Sequence, residues 1–93
     1  MIRSFGDKQT EIVYQGCRSR TLPADIQSRA NMKLFRIDQA TQLEQLSLPP
    51  SNRLEALSGG LKGFWSIPIN QQWRIVFRWA DGDASDVKIT DYH

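Results

Sequence analysis

A chain of 93 residues with 40% hydrophobic and 24% charged side chains has the composition of an ordinary folded domain, which excludes a disordered segment and a fibrous repeat. The formal net charge of +2 selects no partner by itself, and no apolar run approaches the roughly 18 to 20 residues that cross a bilayer. The opening Met1-Ile2-Arg3-Ser4-Phe5 lacks the apolar stretch of a signal peptide, so a single domain spanning 1–93 is expected in the cytoplasm, with no membrane partner.

Ile2-Arg3-Ser4-Phe5 alternates as a brief strand does, and Gly6-Asp7 then open a first helix that runs to about Tyr14 and ends at Gly16. Cys17, the lone cysteine, can neither close an internal disulfide nor build a metal site alone, and reads as structural or incidental. A longer helix is expected from Leu22-Pro23-Ala24-Asp25, since proline suits a first helical turn where its missing N–H is not needed. Ile26, Ala30, Leu34 and Ile37 form its apolar stripe, with Arg29, Lys33 and Arg36 on the other side. Gln39, Gln42 and Glu44 carry that helix toward Leu46, and Pro49-Pro50 stop it.

Beyond the prolines the period becomes two, and 52–57, 64–70, 73–79 and 84–90 read as successive strands. Ser58-Gly59-Gly60 and Asn70-Gln71-Gln72 are turns, and Asp81-Gly82 is a hairpin signal because both residues accept positive φ. Pro68 cannot donate to a ladder, so its strand should lie at an edge or carry a bulge there. The helical stripe and one face of the meander must cover each other, which gives an α+β fold with two N-terminal helices packed on one face of a mainly antiparallel sheet. Alternation puts Trp73, Ile75, Phe77 and Trp79 on the core face, and Arg74, Val76 and Arg78 on the other, where the two guanidinium groups are expected within reach of a shared anion. Trp65 is left open between core and a stacking role.

Charge is unevenly placed. Arg18, Arg20, Arg29, Lys33 and Arg36 face only Asp25 in residues 18–36, and Arg53, Lys62, Arg74 and Arg78 face only Glu55 in residues 52–79. The tail holds Asp81, Asp83, Asp86 and Asp91 against Lys88. A polyanionic partner and a solvated basic helix face both fit this pattern. With one cysteine, one histidine and no phosphate-binding loop, no motif calls for a metal or other cofactor. The only histidine closes the chain in Asp91-Tyr92-His93, three acid-base groups side by side that spacing alone does not separate from a frayed polar tail.

Asn52-Arg53-Leu54-Glu55-Ala56-Leu57 with Gly59, then Gly63-Phe64-Trp65-Ser66-Ile67, Asn70-Gln71-Gln72-Trp73-Arg74-Ile75 and the terminal Asp91-Tyr92-His93, resemble in order and spacing the HigB group of the RelE-like toxins. The resemblance covers most of residues 50–93 and extends weakly over the helical half. It implies a RelE-like toxin fold and a type II toxin that cleaves mRNA on the ribosome. Cleavage would proceed by attack of a ribose 2′-OH on the adjacent phosphate, without metal. It also implies a cognate antitoxin, helix-turn-helix and HigA-like, through which alone the toxin would meet operator DNA.

Carried onto this chain, the resemblance makes Arg74 the phosphate clamp, suited to it by a forked guanidinium on the face away from the core. Asp91, Tyr92 and His93 become the proton-transfer groups, with His93 able to change charge near neutral pH. Glu55 stands where some relatives carry histidine, Ser58 where some carry lysine, and Pro68 where arginine is common. Arg53, Lys62 and Arg78 would bind RNA backbone, and the arginines of the long helix would face the ribosome. The alternative is a non-catalytic RNA- or protein-binding module of the same fold.

Overall fold

The structure, a computed structural model, describes residues 1–48 and 52–91; Pro49, Pro50, Tyr92 and His93 therefore lie outside the described residues. Asp7 accepts a hydrogen bond from the Thr10 N–H at 2.8 Å and so caps α1 (Lys8–Tyr14). Gly16 follows at φ +82°, leaving the helix by the left-handed route that a side chain disfavours. In α2 (Ala24–Gln39) the expected stripe is the buried one: Ile26, Ala30, Leu34 and Ile37 are at most 3% exposed. Pro23 is the N-cap and not a residue of the first turn. The α2 start is held instead by Gln27, whose amide donates to the carbonyls of Ser19 and Leu22.

The second helix is shorter than its sequence pattern suggests. Ala40 turns extended (φ −68°, ψ 136°), and Gln42 and Gln45 cap a separate 3-10 turn over Leu43–Ser47. Continuing α2 would carry Leu46 about 10 Å past Gln39. The break instead folds Leu46 back to 2% exposure and buries Ala40 with it. No helix among the described residues is long and apolar enough to cross a membrane.

Four strands are described, β1 (Glu55–Ala56), β2 (Phe64–Pro68), β3 (Trp73–Ala80) and β4 (Asp83–Asp91), antiparallel in the order β1-β2-β3-β4. β1 is much shorter than expected because Asn52 is buried, donating from its amide to the carbonyls of Leu46 and Leu48. Arg53 then takes φ 44°, so the first half of that segment is an anchored turn. Pro68 lies past the end of β1, whose ladder stops at Ser66, so β2 is locally an edge where its missing donor costs nothing. Asn70 accepts from the N–H groups of Gln72 and Trp73 to fix the β2–β3 turn. Asp81 and Gly82 form the two-residue β3–β4 hairpin at φ 54° and 79°.

β4 does not alternate cleanly. Its register steps from Arg78↔Ser85 to Val76↔Lys88, one extra residue on β4, and Asp86 takes up the bulge at φ 52°. Continuing the hairpin register unbroken would send Val87 and Ile89 to the open face. The bulge turns them inward, and they are buried at 0% and 3%. Apolar spacing of three and then two, Ala84-Val87-Ile89, is the signal that an even alternation overlooks.

The free edge of β4 is covered by the N-terminal segment. Residues 2–5 form no strand, only parallel bridges Ile2↔Ala84 and Phe5↔Val87, and the Ser4 hydroxyl accepts from the bulged Asp86 N–H. One step on, the buried Thr10 hydroxyl accepts from the Ile89 N–H at 2.8 Å. Thr10→Val keeps the shape and removes that acceptor, and is expected to cost about 1–3 kcal/mol by urea unfolding. Asp83 ties the same segment down, accepting from Arg3 Nε at 2.9 Å and lying 3.3 Å from the Met1 ammonium. The Arg3 hydrogen bond is the main cause that holds Asp83 below the ordinary aspartate value of 3.8. A depressed carboxylate stabilises the fold above its unfolded pKa and stops doing so as pH falls through the folded one. Asp83→Asn should therefore be the less stable protein at neutral pH, and the gap in unfolding midpoint should close in strong acid.

Helices and sheet enclose one core of Val13, the α2 stripe, Leu46, Ile67, Ile69, Ile75, Phe77, Ala84, Val87 and Ile89. Trp65, Trp73 and Trp79 all pack against it, half-buried, which places Trp65 on the core side with the other two.

Candidate functional site

Arg74 leaves the sheet on the face away from the helices, between its register partners Pro68 and Thr90. Its side chain is only 16% exposed, and its Nη1 donates to Ser66 Oγ at 2.9 Å and lies 3.7 Å from Glu55 Oε2. Ser66 is fully buried in the middle of an otherwise apolar strand, and its hydroxyl gives the guanidinium a fixed seat. Sequence reasoning did not single Ser66 out. A small polar residue facing the same side as Arg74, on the neighbouring strand, is the signal that could have found it.

Three elements close around this residue. The side of α2, the Asn52–Arg53 turn and the β2–β3 turn enclose a cleft of about 760 Å³ to which Arg74 also contributes. Its cations are Arg29, Lys33, Arg36, Arg53 and Arg74, and among the described residues no carboxylate lines it. Lys33 Nζ donates to the Pro68 carbonyl and Arg29 Nη1 to the Ile69 carbonyl, so both are held without being neutralised. Burial, then the neighbouring Arg29 and Arg36 charges, pull Lys33 below the ordinary lysine value. The helix cations expected to point outward thus face the same space as the strand arginine.

The other expected site residues divide by position. Glu55 joins Arg74 directly, and Arg53 lines the cleft. Asp91 ends β4 opposite Trp73, one residue past the register partner of Arg74, with its side chain exposed and accepting from Gln72 Nε2 at 3.3 Å. Tyr92 and His93 follow it outside the described residues. Lys62 and Arg78 are at the opposite end of the β2–β3 pair.

Arg78 does not share an anion with Arg74. Four residues of strand put them about 13 Å apart along β3. Arg78 stacks 4.4 Å above the Phe64 ring and pairs with Asp86 at 3.3 Å, while Arg74 turns to Ser66 and Glu55.

Residues 3–93 match the family model described as the RelE-like toxin of type II toxin-antitoxin system HigB. Among curated proteins, Toxin HigB-1 of Vibrio cholerae serotype O1 (strain ATCC 39315 / El Tor Inaba N16961) is 41% identical over 85 residues, 90% of each chain. The Proteus vulgaris protein named Endoribonuclease HigB is 34% identical over 93 residues, the full length of both. The chain belongs to the HigB-like toxins, the RelE-like toxins of type II toxin–antitoxin systems, and its partner is an antitoxin.

Proposed function

We propose that the chain is a ribosome-dependent endoribonuclease that cuts mRNA, acting in the cytoplasm as a single domain and neutralised by a HigA-like, helix-turn-helix antitoxin. One observation carries the reading: a guanidinium fixed by a buried serine stands at a cationic cleft that, among the described residues, no carboxylate lines. The Proteus vulgaris relative named as an endoribonuclease supports it across the whole chain.

RNA carries its own nucleophile. The 2′ oxygen attacks the adjacent phosphorus, the bond from phosphorus to the 5′ oxygen breaks, and a 2′,3′-cyclic phosphate and a 5′-hydroxyl result. The proton leaves the 2′-OH for a base, and another is delivered to the departing 5′ oxygen. Arg74 stabilises the crowded phosphate, as fixed positive charge aimed at developing negative charge does. Asp91, Tyr92 and His93 move the protons, and Glu55, beside the guanidinium, orients Arg74 or takes part in that exchange. Arg53 holds RNA backbone near the reacting phosphate, and Lys62 and Arg78 hold it at the far end of the sheet. Contact with operator DNA runs through the antitoxin.

Induced expression without the antitoxin is the test. Growth arrest with new 5′-hydroxyl mRNA ends, mapped across the transcriptome, is the expected result. Arrest without new ends means that binding alone stops translation, and the catalytic reading fails.

A further inference from the structure

Arg29, Lys33 and Arg36 follow one another along α2 at spacings of four and three residues, so they form a single wall of the cleft. The wall spans about 10 Å of helix, which exceeds the width of one phosphate group. The Arg36 side chain makes no hydrogen bond or ion pair with any described residue. The two carbonyl bonds of Arg29 and Lys33 fix position and leave the charge in place. Crowding cations costs energy in the isolated protein, and an anion entering the cleft relieves it. Of the neutral polar side chains that line the cleft, Asn52 holds two carbonyl groups and Asn70 caps its own turn, which leaves Gln71. Asn52 and Asn70 are thus committed to the fold, and five cations face the space against that one amide.

We propose that the Arg29, Lys33 and Arg36 wall is a subsite for RNA backbone, gripping phosphates next to the one held at Arg74. This rests on the endoribonuclease reading and extends it. The subsite positions the substrate and is indifferent to its sequence on that side, since phosphate contacts carry no base information.

The test uses the full chain and two non-cleavable probes, a 2′-O-methyl dinucleotide and a 2′-O-methyl octanucleotide, with binding followed by fluorescence anisotropy at several salt concentrations. Wild type should bind the octanucleotide about tenfold or more tighter than the dinucleotide at low salt. Arg36→Ala should lower octanucleotide affinity about three- to tenfold, reduce its salt slope by about 1 and leave the dinucleotide within about twofold. Arg36→Lys, which keeps the charge, should restore most of the loss.

A wild type with no length dependence, or an Arg36→Ala variant that weakens both probes equally, overturns the proposal. If Arg36→Ala spares the octanucleotide and weakens co-sedimentation with ribosomes, the wall serves ribosomal RNA and the substrate assignment is wrong. If only antitoxin binding is lost, the wall is a protein interface and the assignment is likewise wrong. The parent reading fails by a different result, growth arrest on expression of the wild type without new mRNA ends.

Discussion

Arg74→Ala is expected to slow mRNA cleavage by about 10²- to 10³-fold, the usual loss when a preorganised donor to developing negative charge is removed. Primer extension on a defined message, with purified protein and ribosomes, measures it. Two features support a large effect. The guanidinium is mostly buried and seated on Ser66, so little ordering remains to be done when substrate arrives. It also presents a planar fork, which Arg74→Lys cannot reproduce, so lysine should recover only a small part of the rate. Arg74→Ala leaves the Ser66 hydroxyl buried without that partner, at a cost of about 1–3 kcal/mol. Far-UV circular dichroism and thermal unfolding must therefore show the variant folded before its rate is interpreted. Ser66→Ala is the companion: the charge stays, its seat goes, and a smaller loss of rate is expected. Full activity in Arg74→Ala would remove the phosphate clamp from the proposal.

Phe77→Ala should cost about 3–5 kcal/mol, the range for truncating a buried aromatic side chain. The residue is fully buried, with its ring packed edge-on to Trp79 at 6.5 Å between centroids. For a chain of this length total stability is about 5–14 kcal/mol, so one such change removes a large fraction of it. Urea unfolding reads the loss as a lower midpoint at an unchanged slope, and Trp79 should shift its emission as its neighbour shrinks. A cost near that of a surface substitution would mean that β3 does not present Phe77 to the helices.

Much of this arrangement is written in local pattern. The α2 stripe shows at Ile26, Ala30, Leu34 and Ile37 because a helical period needs no knowledge of the rest of the fold. The hairpin at Asp81-Gly82 shows because two left-handed residues are a local demand. Arg74 could be placed away from the core by alternation in β3 alone. What escaped depends on distant partners. The end of α2 is set by where Leu46 must be buried, and the length of β1 by the carbonyl groups that Asn52 reaches. The cleft is the largest omission. The pattern fixes that Arg29, Lys33 and Arg36 share a side of one helix, but the packing of that helix across β2 and β3 decides what the side confronts. Arg78 shows the reverse error, a shared strand face taken for a shared ligand.

The single extra residue at Asp86 has a consequence for how this toxin can change over time. A one-residue deletion there would leave the Asp81-Gly82 corner intact and let the strand alternate evenly, with Val87 and Ile89 still inward and Lys88 out, because the residue removed is the one the bulge accommodates. The final carboxylate would keep its place opposite Trp73. At this one position the strand can thus shorten without reversing its outer half, and the contact given up is the Asp86 N–H that the Ser4 hydroxyl accepts.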